Sequence, residues 1–309
     1  MTLQQLEYIL ALEQQRHFGK AAEQCGVTQP TLSALIQKLE EELDTRLFDR
    51  TRQSVEPTPA GRLILEQARH VLAEAAPRLR DIVAEEKQTL TGTFNLGILP
   101  TIAPYLLPRF FPQLVKRHPQ LDIRVTEMKT AAICQALAEG EIDAGIVAAL
   151  DGMDNFVQTP LFYESFYAYV AREDELFARD TIRTSDLAGT QLWLLDEGHC
   201  FRDQLVRFCQ LKNARASQLT YHLGSMETFM RMVEGGKGVT FIPGLAVLQL
   251  GEAQRQLVRP FAVPRPTRQI VILTSRHFIR HTLLDTLRQA IQEAVPSDML
   301  SPQPTQQLI

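Results

Sequence analysis

The 309-residue sequence predicts an α+β multidomain chain: an N-terminal winged helix-turn-helix, a long linker helix and a C-terminal two-lobed α/β domain. Three observations predict it. Residues 3–43 place apolar residues at helical spacing, interrupted near Gly19 and Gly26. Residues 59–90 sustain one amphipathic pattern. From Thr93 onward, short β-rich runs alternate with helical ones, the order that builds a parallel sheet covered by helices. The expected divisions are 1–58, 59–90 and 91–295, followed by a proline-containing polar tail, 296–309, expected to be disordered.

Leu3, Leu6, Ile9, Leu10 and Leu12 give a first helix ending near His17-Phe18-Gly19. A short second helix centred on Lys20–Gln24 stops at Gly26. Thr28 then caps a third, with Pro30 just inside and Leu32, Leu35, Ile36, Leu39 and Leu43 on one face. Leu47–Arg50 and Ser54–Pro57 are two extended pieces of a wing, with Arg52 at its tip. Pro59 opens a helix to about Leu90, which Pro77 interrupts. At about 45 Å it is longer than a small domain needs, which suits a connector that pairs with a second copy.

Beyond it the expected order is strand 94–99, helix 102–118, strand 122–127, helix 130–139 and strand 144–150. A second set follows: strands 166–170 and 192–194, helices near 203–209 and 226–234, and strand 239–242. Strand 269–275 and helix 281–294 close the pattern. Two such lobes, arranged like those of a periplasmic-binding protein, enclose a cleft where ligands bind.

Composition limits the function. No run of about 18 apolar residues spans a membrane, and the opening MTLQQLEYIL has no secretory pattern, so the expectation is a cytoplasmic protein. Residues 1–58 carry six Lys/Arg against nine Asp/Glu, so any DNA binding must rest on local contacts and not on bulk charge. Four cysteines, Cys25, Cys134, Cys200 and Cys209, are too few for a secreted disulfide framework. By composition alone, Cys200 and Cys209 are two buried structural thiols. No compact metal motif is present, and Gly235–Gly238 lacks phosphate-loop spacing, so neither a metal nor a cofactor is expected.

The run Phe18–Ser33, with Lys38-Leu39-Glu40, Leu47-Phe48, Arg50 and Thr58-Pro59-Ala60-Gly61, resembles the helix-turn-helix of the LysR family of transcription regulators. That resemblance implies double-stranded promoter DNA, RNA polymerase and a second copy of the chain as partners, in dimers or tetramers and with no membrane. Physically, the N-terminal turn of the third helix enters the major groove. Gln29 and Ser33 read base edges, Thr31 reaches an edge or a phosphate, Pro30 sets the turn, and Arg50 and Arg52 meet backbone or minor groove.

Gly198-His199-Cys200-Phe201-Arg202-Asp203-Gln204, together with Phe208-Cys209, resembles the peroxide-sensing OxyR branch of that family. Pro100-Thr101 and Pro104–Pro108 match it too. The resemblance implies that residues 91–295 form a redox-sensing regulatory domain, not an enzyme. Hydrogen peroxide oxidises Cys200, Cys209 closes a reversible disulfide, and a glutaredoxin or thioredoxin system reverses it. It further implies support from Arg268 on the returning strand and from the Thr101 hydroxyl. Only a thiolate attacks peroxide, and His199, Arg202 and a helix N-terminus supply positive surroundings. Asp203 takes a lesser role, holding Arg202 or accepting near the leaving oxygen. Nine helical steps separate the two cysteines by ~13 Å, against the 4.4–6.8 Å span of a disulfide, so closure must unwind the helix. The alternative is a LysR-type regulator responding to a small metabolite in the interlobe cleft.

Overall fold

The computed structural model describes the chain apart from residues 50–54, 151, 197–199 and 210–224, and apart from the side chains of 73–80. It forms two compact units, Met1–Lys87 and Gln88–Ile309.

The first unit begins with α1 (Leu3–Gln15), α2 (Phe18–Gln24) and α3 (Gln29–Glu42). Thr2 and Gln5 close a capping box on α1, the His17 Nδ1 accepts from Gly19 and Lys20 N–H at α2, and the Thr28 hydroxyl caps α3. Leu6, Ile9, Leu12, Ala21, Leu32, Ile36 and Leu39 meet in one core. The wing strands β1 (Phe48–Asp49) and β2 (Glu56–Pro57) pair antiparallel. Its tip, with Arg50 and Arg52, lies outside the described residues.

Three of the motif residues, Glu40, Thr58 and Gly61, explain how the wing is attached. The buried Glu40 carboxylate accepts from the backbone N–H of Leu47 at 2.7 Å and of Phe48 at 3.2 Å. Thr58 caps α4 (Pro59–Glu86) through Gly61 N–H, and α4 continues through Pro77 as one 28-residue helix. At Gly61 a Cβ would lie 2.1 Å from the Leu47 carbonyl oxygen, so only glycine lets α4 approach this backbone. Gly61→Ala is therefore expected to destabilise the first unit by about 1–3 kcal/mol, read from thermal unfolding of the full chain. An unchanged melting curve would contradict this contact.

The second unit is built on a mixed sheet. β3 (Gly92–Ile98), β4 (Leu121–Glu127) and β5 (Ala144–Ala148) pair in parallel, as the alternating pattern predicts, with α5 (Ala103–Arg117) and α6 (Thr130–Ala138) between them. β6 is longer than expected. It runs from Phe156 to Val170, 15 residues against the five expected, because its first half is held by a distant partner and not by a local alternation. After it come α7 (Cys200–Phe208), α8 (Met226–Glu234), β7 (Val239–Pro243), α9 (Gly244–Val247), α10 (Glu252–Arg255) and β8 (Val258–Pro260). β9 (Arg265–Ser275), α11 (His281–Ala294) and β10 (Gln306–Leu308) complete the chain. Leu192–Leu194, expected as a strand, contributes only a single bridge, Leu192 to Val239.

The sheet order is β4-β3-β5-β9-β6-β7, with β8 on β6 and β10 on β9. β6 and β9 are antiparallel to each other, β6 is antiparallel to β7 and β8, and β9 is antiparallel to β5, so these two long strands carry the chain between the lobes. The tail expected to be disordered is ordered: Ser297–Met299 form a short 3-10 turn and Gln306–Leu308 add a parallel strand to β9. Pairing with β9 satisfies backbone groups that a solvated tail would leave to water.

Candidate functional site

Glu164 and Arg268 sit directly opposite each other where β6 and β9 pair. Both are buried, at 1% and 0% exposure. One Glu164 oxygen, Oε2, accepts from Arg268 Nε at 3.0 Å and Nη2 at 2.7 Å; the other, Oε1, accepts from Leu245 N–H at 2.9 Å, at the start of α9. Arg268 reaches across to the turn after β3, where Nη1 donates to Thr101 Oγ1 and Nη2 to the Thr101 carbonyl oxygen, both at 3.1 Å. A guanidinium has five N–H donors, so among the described residues this network leaves one on Nη1. The Thr101 hydroxyl accepts from Nη1 and donates to no other described residue, so among these its own proton remains to be donated. Two donors on neighbouring atoms are thus held in a buried place by groups from both lobes.

The second lobe reaches Arg268 through α7. The Phe201 ring centroid lies 5.0 Å from the guanidinium carbon and 4.8 Å from the Phe166 ring, which also faces Arg268 at 5.7 Å. Such cation–π contacts are strongest when desolvated, as here. Cys200 precedes Phe201 as the first residue of α7 and is buried. At the other end, Cys209 N–H donates to the Leu205 carbonyl oxygen at 2.8 Å, extending helical geometry to the second thiol. Both cysteines are free. Burial pushes the Cys209 thiol up to about 12. It is therefore a packed neutral thiol and a poor nucleophile as long as α7 is intact.

Of the residues expected from the sequence, Thr101 and Arg268 come together, with Cys200 one residue from their aromatic lid. Arg202 and Asp203 are half-buried on the first turn of α7, and Asp203 makes no hydrogen bond or ion pair with another described residue, so the expected Arg202 partnership is not formed. His199 lies outside the described residues. Cys25 and Cys134 pack beside the two cores, and burial raises both thiols, with the Glu7 charge adding to the effect at Cys25. Sequence reasoning missed Glu164, although the signal was present: a single carboxylate within the aromatic run Phe162–Tyr169 needs a cation.

In the first unit, Gln29, Pro30 and Thr31 are exposed at the N-terminus of α3 and Ser33 is half-buried. The Thr31 hydroxyl lies 2.8 Å from the capping Thr28 hydroxyl, which fixes the first turn that carries Gln29.

Residues 3–62 match the bacterial regulatory helix-turn-helix family of the lysR type, and residues 87–296 match the LysR substrate binding domain. The chain belongs to the LysR family of transcription regulators. Within that family it falls in the OxyR branch, and it binds DNA through its helix-turn-helix. It is 36% identical over 300 residues to the hydrogen peroxide-inducible genes activator of Pectobacterium carotovorum subsp. carotovorum, covering 94% of this chain and 97% of that one. Among solved structures it is similar to a full-length OxyR variant from Pseudomonas aeruginosa, with 36% identity, TM-score 0.68, and 96% and 99% of the two chains covered. It is also similar to OxyR from Porphyromonas gingivalis, with 49% identity, TM-score 0.66, and 71% and 99% covered. Among the described residues, no helix is long and apolar enough to cross a membrane.

Proposed function

We propose that this LysR-family regulator senses hydrogen peroxide with Cys200, stores the signal as a Cys200–Cys209 disulfide and thereby switches antioxidant genes on. The observation that carries this reading is the position of the two thiols at opposite ends of α7, whose second residue is docked on Arg268. The spare donors of Arg268 and Thr101 suit the two oxygens of a peroxide. The Cys200 thiolate attacks one oxygen, an S–O bond forms and the O–O bond breaks. The second oxygen leaves as hydroxide and is protonated to water, giving a sulfenic acid. Cys209 then attacks the Cys200 sulfur; the S–S bond forms, the S–O bond breaks, and hydroxide takes the thiol proton and departs as a second water. Two thiols and one peroxide become one disulfide and two waters. A thiol reductant of the glutaredoxin or thioredoxin kind returns the protein to its starting state.

The order of events follows from burial. Cys209 stays protonated and about 13 Å from Cys200 as long as α7 is helical, so the first oxidation precedes the rearrangement. Bridging requires Phe201, Leu205 and Phe208 to leave the core they now pack against, which turns one chemical event into a change of shape. The test is peptide mapping of reduced protein after brief exposure to near-stoichiometric peroxide. A linked Cys200–Cys209 peptide is expected, and two alkylatable thiols after exposure would refute the mechanism.

At the other end of the chain, α3 offers Gln29, Thr31 and Ser33 to the major groove and a second copy supplies the other half-site. Leu63, Val71, Ile82 and Val83 are exposed apolar residues of α4, which suits it to pairing with that copy. RNA polymerase is the partner through which activation is read. Gln29→Ala is expected to lower specific operator affinity by about 1–3 kcal/mol per half-site with dimerisation unchanged. A gel shift showing the same preference for operator over random DNA would rule out base reading by Gln29.

A further inference from the structure

The ordered tail touches α7 at its midpoint. β10 pairs with β9 in the register Gln306 to Arg265 and Leu308 to Thr267, bounded by Arg265 N–H to the Thr305 carbonyl oxygen at 2.8 Å and Ile309 N–H to the Thr267 carbonyl oxygen at 3.1 Å. The Gln306 side chain donates to Ser165 Oγ at 3.0 Å, next to Glu164 in β6. From this anchored strand the main-chain oxygen of Ile309 accepts from Gln204 Nε2 at 2.7 Å. Gln204 is the fifth residue of the nine in α7 and only 3% exposed, and its Oε1 has no partner among the described residues. Among the described residues, the tail therefore provides the one hydrogen bond this buried side chain makes.

We propose that the C-terminal strand is a latch that holds α7 in its reduced, helical form, so that its release governs how readily Cys200 reaches Cys209. Unwinding α7 moves Gln204, and Gln204 cannot move without giving up Ile309. The strand holding Ile309 is itself hydrogen-bonded to Thr267, the neighbour of Arg268. The latch thus joins the strand that carries the peroxide-facing guanidinium to the helix that carries both thiols. Gln204, Phe208, Leu308 and Ile309 also line a cavity of about 1420 Å³, which gives the helix and the tail room to rearrange. Linkage makes the effect reciprocal: if losing the tail favours the disulfide, forming the disulfide loosens the tail by the same factor. What the latch controls rests on the thiol reading above; that it holds α7 does not.

The test uses full-length reduced protein, a variant ending at Thr305, and Ile309→Pro, which keeps the chain length and removes the Ile309 N–H. In the shortened variant, amide exchange across Cys200–Cys209 is expected to be about tenfold faster, the equivalent of one buried hydrogen bond. After peroxide, the Cys200–Cys209 peptide is expected to appear faster by a similar factor of about ten. Trapping of the sulfenic acid by dimedone in a Cys209→Ser background should be unchanged, because that step precedes unwinding. Ile309→Pro should shift exchange in the same direction by less, and it decides the matter if the shortened chain does not fold. Unchanged exchange over α7 in the folded variants overturns the latch and leaves the thiol reading intact. Faster exchange with no disulfide in any form supports the latch and overturns the thiol reading.

Discussion

Replacing Glu164 with alanine is expected to destabilise the second unit by about 3–5 kcal/mol, among the largest losses a single substitution in this chain should produce. The reason is the charge left behind. Arg268 is fully buried, and the Glu164 carboxylate accepts from two of its nitrogens while holding the start of α9 with its other oxygen. Without the carboxylate, a guanidinium remains in the interior with Thr101 as its only hydrogen-bonding partner among the described residues. Replacing both residues, Glu164→Leu with Arg268→Met, should recover most of the loss, because a buried pair adds little over well-packed apolar side chains. The doubly replaced protein should fold and still fail to respond to peroxide, since the donors beside Thr101 are gone. Chemical denaturation of the three proteins and their rates of sulfenic acid formation separate the two roles. A loss below about 1 kcal/mol in Glu164→Ala would mean that water or another group compensates Arg268.

These positions show how far the sequence was legible. The helix-turn-helix announced itself through caps and apolar spacing, signals contained within a few residues of one another. Thr101 and Arg268 were named because motif residues around them resembled a known branch, and the structure joins them. Glu164 was not named, because its meaning lies in a cross-strand partner 104 residues away. The same cause hid half of β6: residues 156–165 are a strand because β9 lies beside them, and no alternation within the segment says so. The tail is the clearest case. Gln306–Leu308 has nothing apolar to place in a core except Leu308, which is itself 51% exposed. It is ordered by backbone pairing with a strand some forty residues earlier, which composition does not encode.

Substituting the two thiols separately should divide the switch into its steps. Cys200→Ser is expected to abolish both sulfenic acid and disulfide, because a serine hydroxyl at this position has no thiolate to offer peroxide. Cys209→Ser should leave the first oxidation at nearly its normal rate and stop there, with the sulfenic acid persisting long enough to be trapped. Loss of the first oxidation in Cys209→Ser would instead place both sulfurs at the peroxide site. The reduced parent protein tests the same order without mutation. Burial pushes Cys209 from the ordinary 9.0 up to about 12, so at pH 8 it should carry far less thiolate than an exposed cysteine. Alkylation of Cys209 at that pH should accordingly be very slow until denaturant opens α7. The sign of the pH dependence follows from the raised value. Below pH 9.0 the thiol keeps its proton in the folded and unfolded chains alike, and the packing around it is at full strength. Between 9.0 and about 12 the unfolded chain releases a proton that the folded chain retains, so this stabilisation falls as pH rises. Rapid alkylation of Cys209 in the folded reduced protein at pH 8 would show that α7 opens without oxidation, and the burial of the second thiol could then no longer set the order of the switch.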